Sequence, residues 1–234
     1  MKVDTYVDKC LTSALKKEND EKEAAYKGSG RLSASQLGWP LQWQILKSMG
    51  VQPPPPDAYT LRKFARGNHV EDWFIRYLPN LIDKQQKVEY RGAAGKYDAL
   101  VDTLGWDFNV GVIPIEVKSV TNAKFRYIKQ RKSSDRAHLL QGGFYALALN
   151  KPSFGIAYVA SDDYRVRIHI HSVRDIERDI NAIISKFDAQ MSLGVVPIFE
   201  PEEDWQKNIK YNMYPEWSEL SEDEIKSKLK KYGL

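Results

Sequence analysis

Gly95-Lys96-Tyr97-Asp98-Ala99-Leu100-Val101 is followed, after a glycine-containing interval, by Ile113-Pro114-Ile115-Glu116-Val117-Lys118-Ser119. Both stretches are short, rich in β-forming residues and set off by Gly92, Gly95, Gly105 and Gly111, the pattern of neighbouring strands. Successive side chains of a strand point to opposite faces, so Glu116 and Lys118 share one face while Ile115 and Val117 take the other. For an isolated E-x-K, a same-face salt bridge is the simplest account. Asp98 weighs against stopping there, because it is a second acid in a second apolar strand. Carboxylates that converge in a buried place repel each other and are costly to desolvate, and a divalent cation relieves both problems. Hard oxygen ligands of this kind suit Mg²⁺ or Mn²⁺.

Outward from this pair, the chain reads as helices, three strands, a helix, two strands and a helix. The first helix is expected over 3–26, with apolar positions at Tyr6, Val7, Cys10, Leu11, Ala14 and Leu15, ending at Gly28-Ser29-Gly30. A second starts at Ser33 or Ser35 and runs to Met49, with Pro40 near its first turn; Pro53 to Pro56 is then a stiff extended connector. Asp57 caps one or two helices over Tyr59 to Leu81. Strands follow at Lys87–Arg91, Tyr97–Thr103 and Val112–Val120, a helix at Asp135–Leu149, strands at Phe154–Ala160 and Arg165–His171, and a helix at Val173–Leu193. Ser221 and Glu224 form a capping box for a last helix that ends before Gly233. This order predicts an α/β protein with a mixed sheet flanked by helices. One elaborated domain is expected, with residues 1–30 as a helical extension, 31–200 as the core and 201–234 as a C-terminal tail.

With 42% hydrophobic and 28% charged residues, six Trp and thirteen Tyr, the chain has the composition of a folded protein. Its net charge of +4 is uneven: residues 200–234 carry nine acidic against six basic side chains, which leaves +7 on the rest. That favours a polyanionic partner for the central part, though evenly spread lysines would give the same sum. Cys10 is the only cysteine, which excludes an internal disulfide and any cysteine-ligated zinc or iron–sulfur centre formed by this chain alone. There is no secretory-type apolar run and no stretch of about 18 apolar residues, so a soluble, cytoplasmic protein without a membrane partner is expected.

Gly95-x-x-Asp98 followed by Ile115-Glu116-Val117-Lys118 resembles the core motif of the PD-(D/E)XK nucleases, and more narrowly that of their RecB-like and lambda-type exonuclease branch. Tyr97 stands where the motif's proline would be. Upstream, Gly67-Asn68-His69-Val70-Glu71 resembles the G-x-x-x-(H/E) motif of that branch. Downstream, Gln141 and Tyr145, with His138 on the same helix side, resemble its Q-x-x-x-Y motif. Arg31-Leu32-Ser33-Ala34-Ser35-Gln36-Leu37 is similar to the opening of RecB-like and CRISPR-associated exonucleases. The stretch 204–214 is similar to their later segment without its cysteines, so no iron–sulfur cluster is expected. Trp39, Trp205 and Trp217 would fasten the same terminal segments by packing.

The resemblance implies a restriction-endonuclease-like core with helical N- and C-terminal extensions, and a metal-dependent deoxyribonuclease. It implies one or two Mg²⁺ or Mn²⁺ ions held by Glu71, Asp98, Glu116 and the Val117 carbonyl, with Lys118 and Gln141 serving the chemistry. Its partner would be DNA, single-stranded or as duplex ends, and it allows a homo-oligomer or a recombination-protein partner. Read as residues alone, Glu71 is equally a solvated helix charge and Tyr145 a core tyrosine. Lys124, Arg126, Lys129, Arg131 and Lys132 form a basic run directly after the second strand stretch, with Phe125 and Tyr127 interleaved, a mixture suited to phosphate contacts and base stacking. Arg31, Ser33, Ser35 and Tyr145 complete the candidate nucleic-acid contacts. His169 and His171 alternate with Ile168 and Ile170 and read as a polar strand face, and Cys10 reads as a small buried apolar residue.

Overall fold

The alternation read in the two decisive stretches is realised in a five-stranded sheet. The computed structural model describes residues 3–24, 26, 28–131, 133–208 and 212–233; Lys132 and residues 209–211 of the tail lie outside the described residues. Its helices are α1 (Val3–Ala24), α2 (Leu41–Ser48), α3 (Ala58–Tyr77), α4 (Asn122–Arg131), α5 (Arg136–Ala148), α6 (Glu177–Leu193) and α7 (Glu222–Tyr232). Its strands are β1 (Leu81–Lys84), β2 (Lys87–Tyr90), β3 (Ala93–Lys96), β4 (Ala99–Asp102), β5 (Val112–Val120), β6 (Ser153–Ala160) and β7 (Val166–Ser172). The main sheet has the order β1-β4-β5-β6-β7, antiparallel except for the β5/β6 pair. No helix among the described residues is long and apolar enough to cross a membrane.

The sheet has two differently covered faces. Ile113, Ile115 and Val117 of β5 pack with Ala99, Val101, Ala157 and Val159 beneath Val70, Phe74 and Ile75 of α3 and Leu78 just after it. On the opposite face Phe154, Ile156 and Tyr158 of β6 meet α5 and α6. Glu116 and Lys118 project to this second face, because strand side chains alternate. Helix α5 lies hard against β6: a Cβ on Gly142 would fall 2.7 Å from Ile156 Cδ1 and Phe154 Cδ2, so only glycine allows this approach.

Strands β1 to β4 are the two arms of one bent hairpin. Its register runs without interruption from Lys84↔Ala99 to Lys87↔Lys96. The bend lies between, where Gln85 N–H donates to the Asp98 carbonyl (3.1 Å) and Tyr97 N–H to the Gln86 carbonyl (3.2 Å). Beyond it the arms leave the main sheet as the separate β2/β3 pair, which Ala94 N–H ties to the Leu32 carbonyl (2.9 Å).

Several expectations change. The helix expected over Tyr59 to Leu81 stops at Tyr77, and Leu81–Lys84 is the edge strand β1. Pro79 forces the preceding Leu78 out of helical geometry (ψ 120°). The helix expected from Ser33 or Ser35 is split: Ser33 caps a short 3-10 turn, and α2 begins only after Pro40. Strand β3, with the sequence Ala-Ala-Gly-Lys, has weak strand propensity and forms through its pairing with β2. The basic run, to which the sequence assigned no element, forms helix α4 as far as Arg131, anchored by Phe125 and Ile128, three residues apart and buried. Cys10 is exposed, as are Tyr6, Val7 and Leu11 on the same helix. The tail is fastened partly by packing, Trp217 being buried, and partly by hydrogen bonds from Gln42 Nε2 to the Trp217 carbonyl (3.2 Å) and from Tyr214 Oη to the Val51 carbonyl (3.1 Å). Trp205 packs edge-on against Trp43, while Trp39 is only partly buried.

Candidate active site

Three elements meet at β5. Asp98 enters from the bend of the hairpin, directly before β4, and Glu116 and Lys118 rise from β5 itself. Gln141 and Tyr145 descend from α5, one helical turn apart. Asp98 Oδ2 accepts from Val117 N–H at 2.7 Å. Lys118 Nζ donates to Glu116 Oε1 at 2.6 Å and to Gln141 Oε1 at 2.9 Å, and Gln141 Nε2 donates to Tyr145 Oη at 3.0 Å. Because the Gln141 amide nitrogen is engaged by Tyr145, its oxygen is the atom turned to the lysine. The bland alternative for Glu116 and Lys118, a same-face salt bridge, does form. It engages only one oxygen of the carboxylate: Glu116 Oε2 is buried, and the group beside it is the Asp98 carboxyl, which can donate only when it is protonated.

Electrostatics mark the acids as strained. Asp98 is 8% exposed and Glu116 3%. Burial, then the charges of Glu116 and Glu71, push the Asp98 carboxyl up to about 9, against the pull of the Val117 amide and Lys118. Burial also raises Glu116, and the Lys118 ammonium offsets this only in part. A raised carboxyl pKa without a sufficient cation is the signature of a site completed by a proton or a metal. Burial raises Tyr145 as well, keeping it a neutral phenol, while burial and the nearby Lys118 depress His138 to about 4. His138 Nδ1 lies 3.0 Å from Tyr158 Oη, so it is a neutral partner beside the lysine rather than a second cation.

A hard divalent cation fits this donor set. The second Glu116 oxygen and the Asp98 carboxylate are the oxygen ligands that Mg²⁺ or Mn²⁺ prefers, and either ion would offset the burial that raises both groups and the carboxylate charges that raise them further. Glu71 approaches from α3, on the other layer, near enough for its charge to raise Asp98 and Glu116. Its Oε1 accepts from Gln85 Nε2 at 3.0 Å, and among the described residues no three His, Cys, Asp or Glu side chains enclose a ready-made metal cage. Gln85 escaped the sequence reading: a glutamine in a Lys-Gln-Gln run has no motif or periodicity to mark it.

The candidate nucleic-acid residues occupy three places: Tyr145 is buried on α5, and the other described ones lie on α4 and at or just before the 3-10 turn. Arg126, Lys129 and Arg131 are exposed on α4, while Lys124 and Arg131 pair with Asp135 (3.1 and 3.5 Å). Phe125 is 5% exposed beneath the Arg165 guanidinium and is closed to base stacking, whereas Tyr127 is 51% exposed. Arg31 is paired with Glu89 of β2 (2.8 Å), and Ser33 and Ser35 bond each other (3.1 Å) at the 3-10 turn. His169 and His171 form the polar strand face read from the sequence, with His169 buried and His171 partly buried. Ser134 Oγ lies 3.3 Å from His169 Nδ1 and 2.9 Å from His171 Nε2.

No protein-family model and no curated protein matches the chain. Solved structures do. The protein SSO0001 is 13% identical, with a TM-score of 0.52 over 87% of this chain and 93% of that one. An alkaline exonuclease (LHK-Exo) from Laribacter hongkongensis is 13% identical, with a TM-score of 0.46 over 74% of this chain and 95% of that one. A phage-related exonuclease from Haemophilus somnus 129PT is 13% identical, with a TM-score of 0.39 over 70% of this chain and 96% of that one. The five-stranded mixed sheet flanked by helices is the α/β architecture expected from the order of elements in the sequence, and the fold is shared with SSO0001.

Proposed function

We propose that the chain is a Mg²⁺- or Mn²⁺-dependent deoxyribonuclease that hydrolyses DNA phosphodiester bonds, acting as an exonuclease in DNA recombination, repair or the processing of phage and mobile-element DNA. The observation that carries this reading is Glu116, a buried carboxylate with only one of its oxygens on Lys118, beside an Asp98 carboxyl pushed up to about 9. Asp98, Glu116, Glu71 and the Val117 carbonyl would hold the cation. When bound, the cation adds positive charge at the scissile phosphate and makes the attacking water more acidic.

The remaining work falls to side chains. Lys118 is tethered through Gln141 and Tyr145 as well as by Glu116; it orients the water and stabilises the charge that develops on the phosphate. Arg126, Lys129 and Arg131 of α4 take backbone phosphates, and the exposed Tyr127 offers a ring to an unstacked base. Single strands or duplex ends are the substrate class this supports.

The test is digestion of end-labelled linear and circular DNA with Mg²⁺ or Mn²⁺, alongside calorimetric cation binding. Asp98→Ala and Glu116→Ala are expected to lose both cleavage and cation binding. Lys118→Ala should keep the cation and slow cleavage by about 10² to 10³. Near-normal activity in both acid variants would sink the proposal. Cleavage of the circle would make the protein an endonuclease, and DNA binding without cleavage would make it an inactive nucleic-acid-binding member of the fold.

A further inference from the structure

Gln85 stands at the bend of the hairpin, between the pairs Lys84↔Ala99 and Lys87↔Lys96. Its backbone N–H donates to the Asp98 carbonyl (3.1 Å), and its side-chain Nε2 donates to Glu71 Oε1 (3.0 Å). One residue thus connects two acids that come from different layers, the hairpin and α3. Its φ of 52° lies in the left-handed region, which a residue with a Cβ adopts at a cost and glycine adopts freely. Asn80, Arg91, Asn150 and Tyr164 share this conformation in connecting turns, whereas Gln85 holds it within one arm of the hairpin, between β1 and β2. A side chain kept where the backbone favours glycine points to a use for that side chain.

We propose that Gln85 is a positioning residue for the cation site, fixing Glu71 against Asp98 so that the two carboxylates and Glu116 converge when a divalent ion binds. The inference rests on the cation-site reading above. Without the Gln85 amide, Glu71 is a helix carboxylate free to turn to solvent, and it must be ordered anew at each binding event. Partners of this kind, which hold a ligand without touching the metal, typically change metal affinity about 10- to 100-fold when removed.

The experiment compares wild type, Gln85→Gly, Glu71→Ala and the double variant Glu71→Ala/Gln85→Gly by calorimetric titration with Mn²⁺, with thermal midpoints measured alongside. Gln85→Gly suits the left-handed backbone, so its fold is expected to be as stable as wild type or more so. Its Mn²⁺ dissociation constant should nevertheless rise about tenfold or more. On the Glu71→Ala background the same change should add nothing, because the effect passes through Glu71. In cleavage, the half-saturating Mn²⁺ concentration should rise by the same factor while the rate at saturating Mn²⁺ changes little. If wild type binds Mn²⁺ through Asp98 and Glu116 and Gln85→Gly binds it equally well, the role of Gln85 is overturned alone. A loss that persists undiminished without Glu71 also overturns it. If wild type binds no Mn²⁺, or binds it unchanged in Asp98→Ala and Glu116→Ala, the cation-site reading fails and this inference fails with it.

Discussion

Burial and the carboxylates of Glu116 and Glu71 lift Asp98 from an ordinary value near 3.8 to about 9. The sign of the consequence follows from linkage. A group whose folded pKa lies above its unfolded one contributes stability that is complete below the unfolded value and is lost as pH rises through the folded value. In chelator-treated protein this contribution should therefore decline between about pH 4 and pH 9. Asp98→Asn removes the titration while keeping an oxygen for the Val117 N–H. Its thermal midpoint is expected to fall less than wild type's over that interval, and Mg²⁺ should raise the midpoint of wild type but not of the variant. Parallel pH curves for the two proteins would show that Asp98 does not carry the raised pKa.

Helix α4 divides its residues between the core and a ligand. Phe125 and Ile128 are buried, so the surface left open is Arg126, Tyr127, Lys129 and Arg131. Each phosphate that is no longer neutralised should flatten the salt dependence of DNA binding by roughly one unit of log–log slope. Changing Arg126, Lys129 and Arg131 to Gln together is expected to weaken binding and reduce that slope by up to about three. Mn²⁺ affinity should not change, since α4 supplies no candidate cation ligand. Fluorescence anisotropy across a salt series measures this, and an unchanged slope would make α4 a solvated helix only. Helix α5 shows the complementary arrangement: Gly142 lets its backbone touch the sheet, which brings the neighbouring Gln141 within 2.9 Å of Lys118.

At the scale of the whole molecule, the site is a junction of layers. Glu71 belongs to the helix covering one sheet face, Gln141 and Tyr145 to the helix covering the other, and Asp98, Glu116 and Lys118 to the strands between. The tail is a separate clasp on α2, where Trp217 is buried with Tyr214 and its carbonyl accepts from Gln42. Trp217→Ala should cost about 3 to 5 kcal/mol in urea unfolding, the range for emptying a large aromatic site. Cation affinity of the folded variant should be retained, because the clasp bonds to Gln42 of α2 and to Val51, and neither carries an acid of the site. A cost within about 0.5 kcal/mol, the range of an exposed substitution, would mean that the tail does not close the core.

Features that depend on neighbours along the chain were legible in the sequence. Period-two alternation puts Glu116 and Lys118 on one face, and they do bond there. Asp57 caps α3 through the Thr60 N–H, and Ser221 and Glu224 close the N-terminus of α7, each within one helical turn. What required the tertiary structure is whatever a distant segment decides. Strand β1 is too short for alternation to mark it, and β3 has weak strand propensity. Both exist through their partners in the hairpin, Lys84 opposite Ala99 and Lys96 opposite Lys87. Phe125 is buried and Cys10 exposed because of which surfaces pack against their helices, not because of their polarity. Gln85 meets Glu71 only once α3 lies on the sheet and the hairpin bends, a contact between two polar residues that no apolar periodicity encodes.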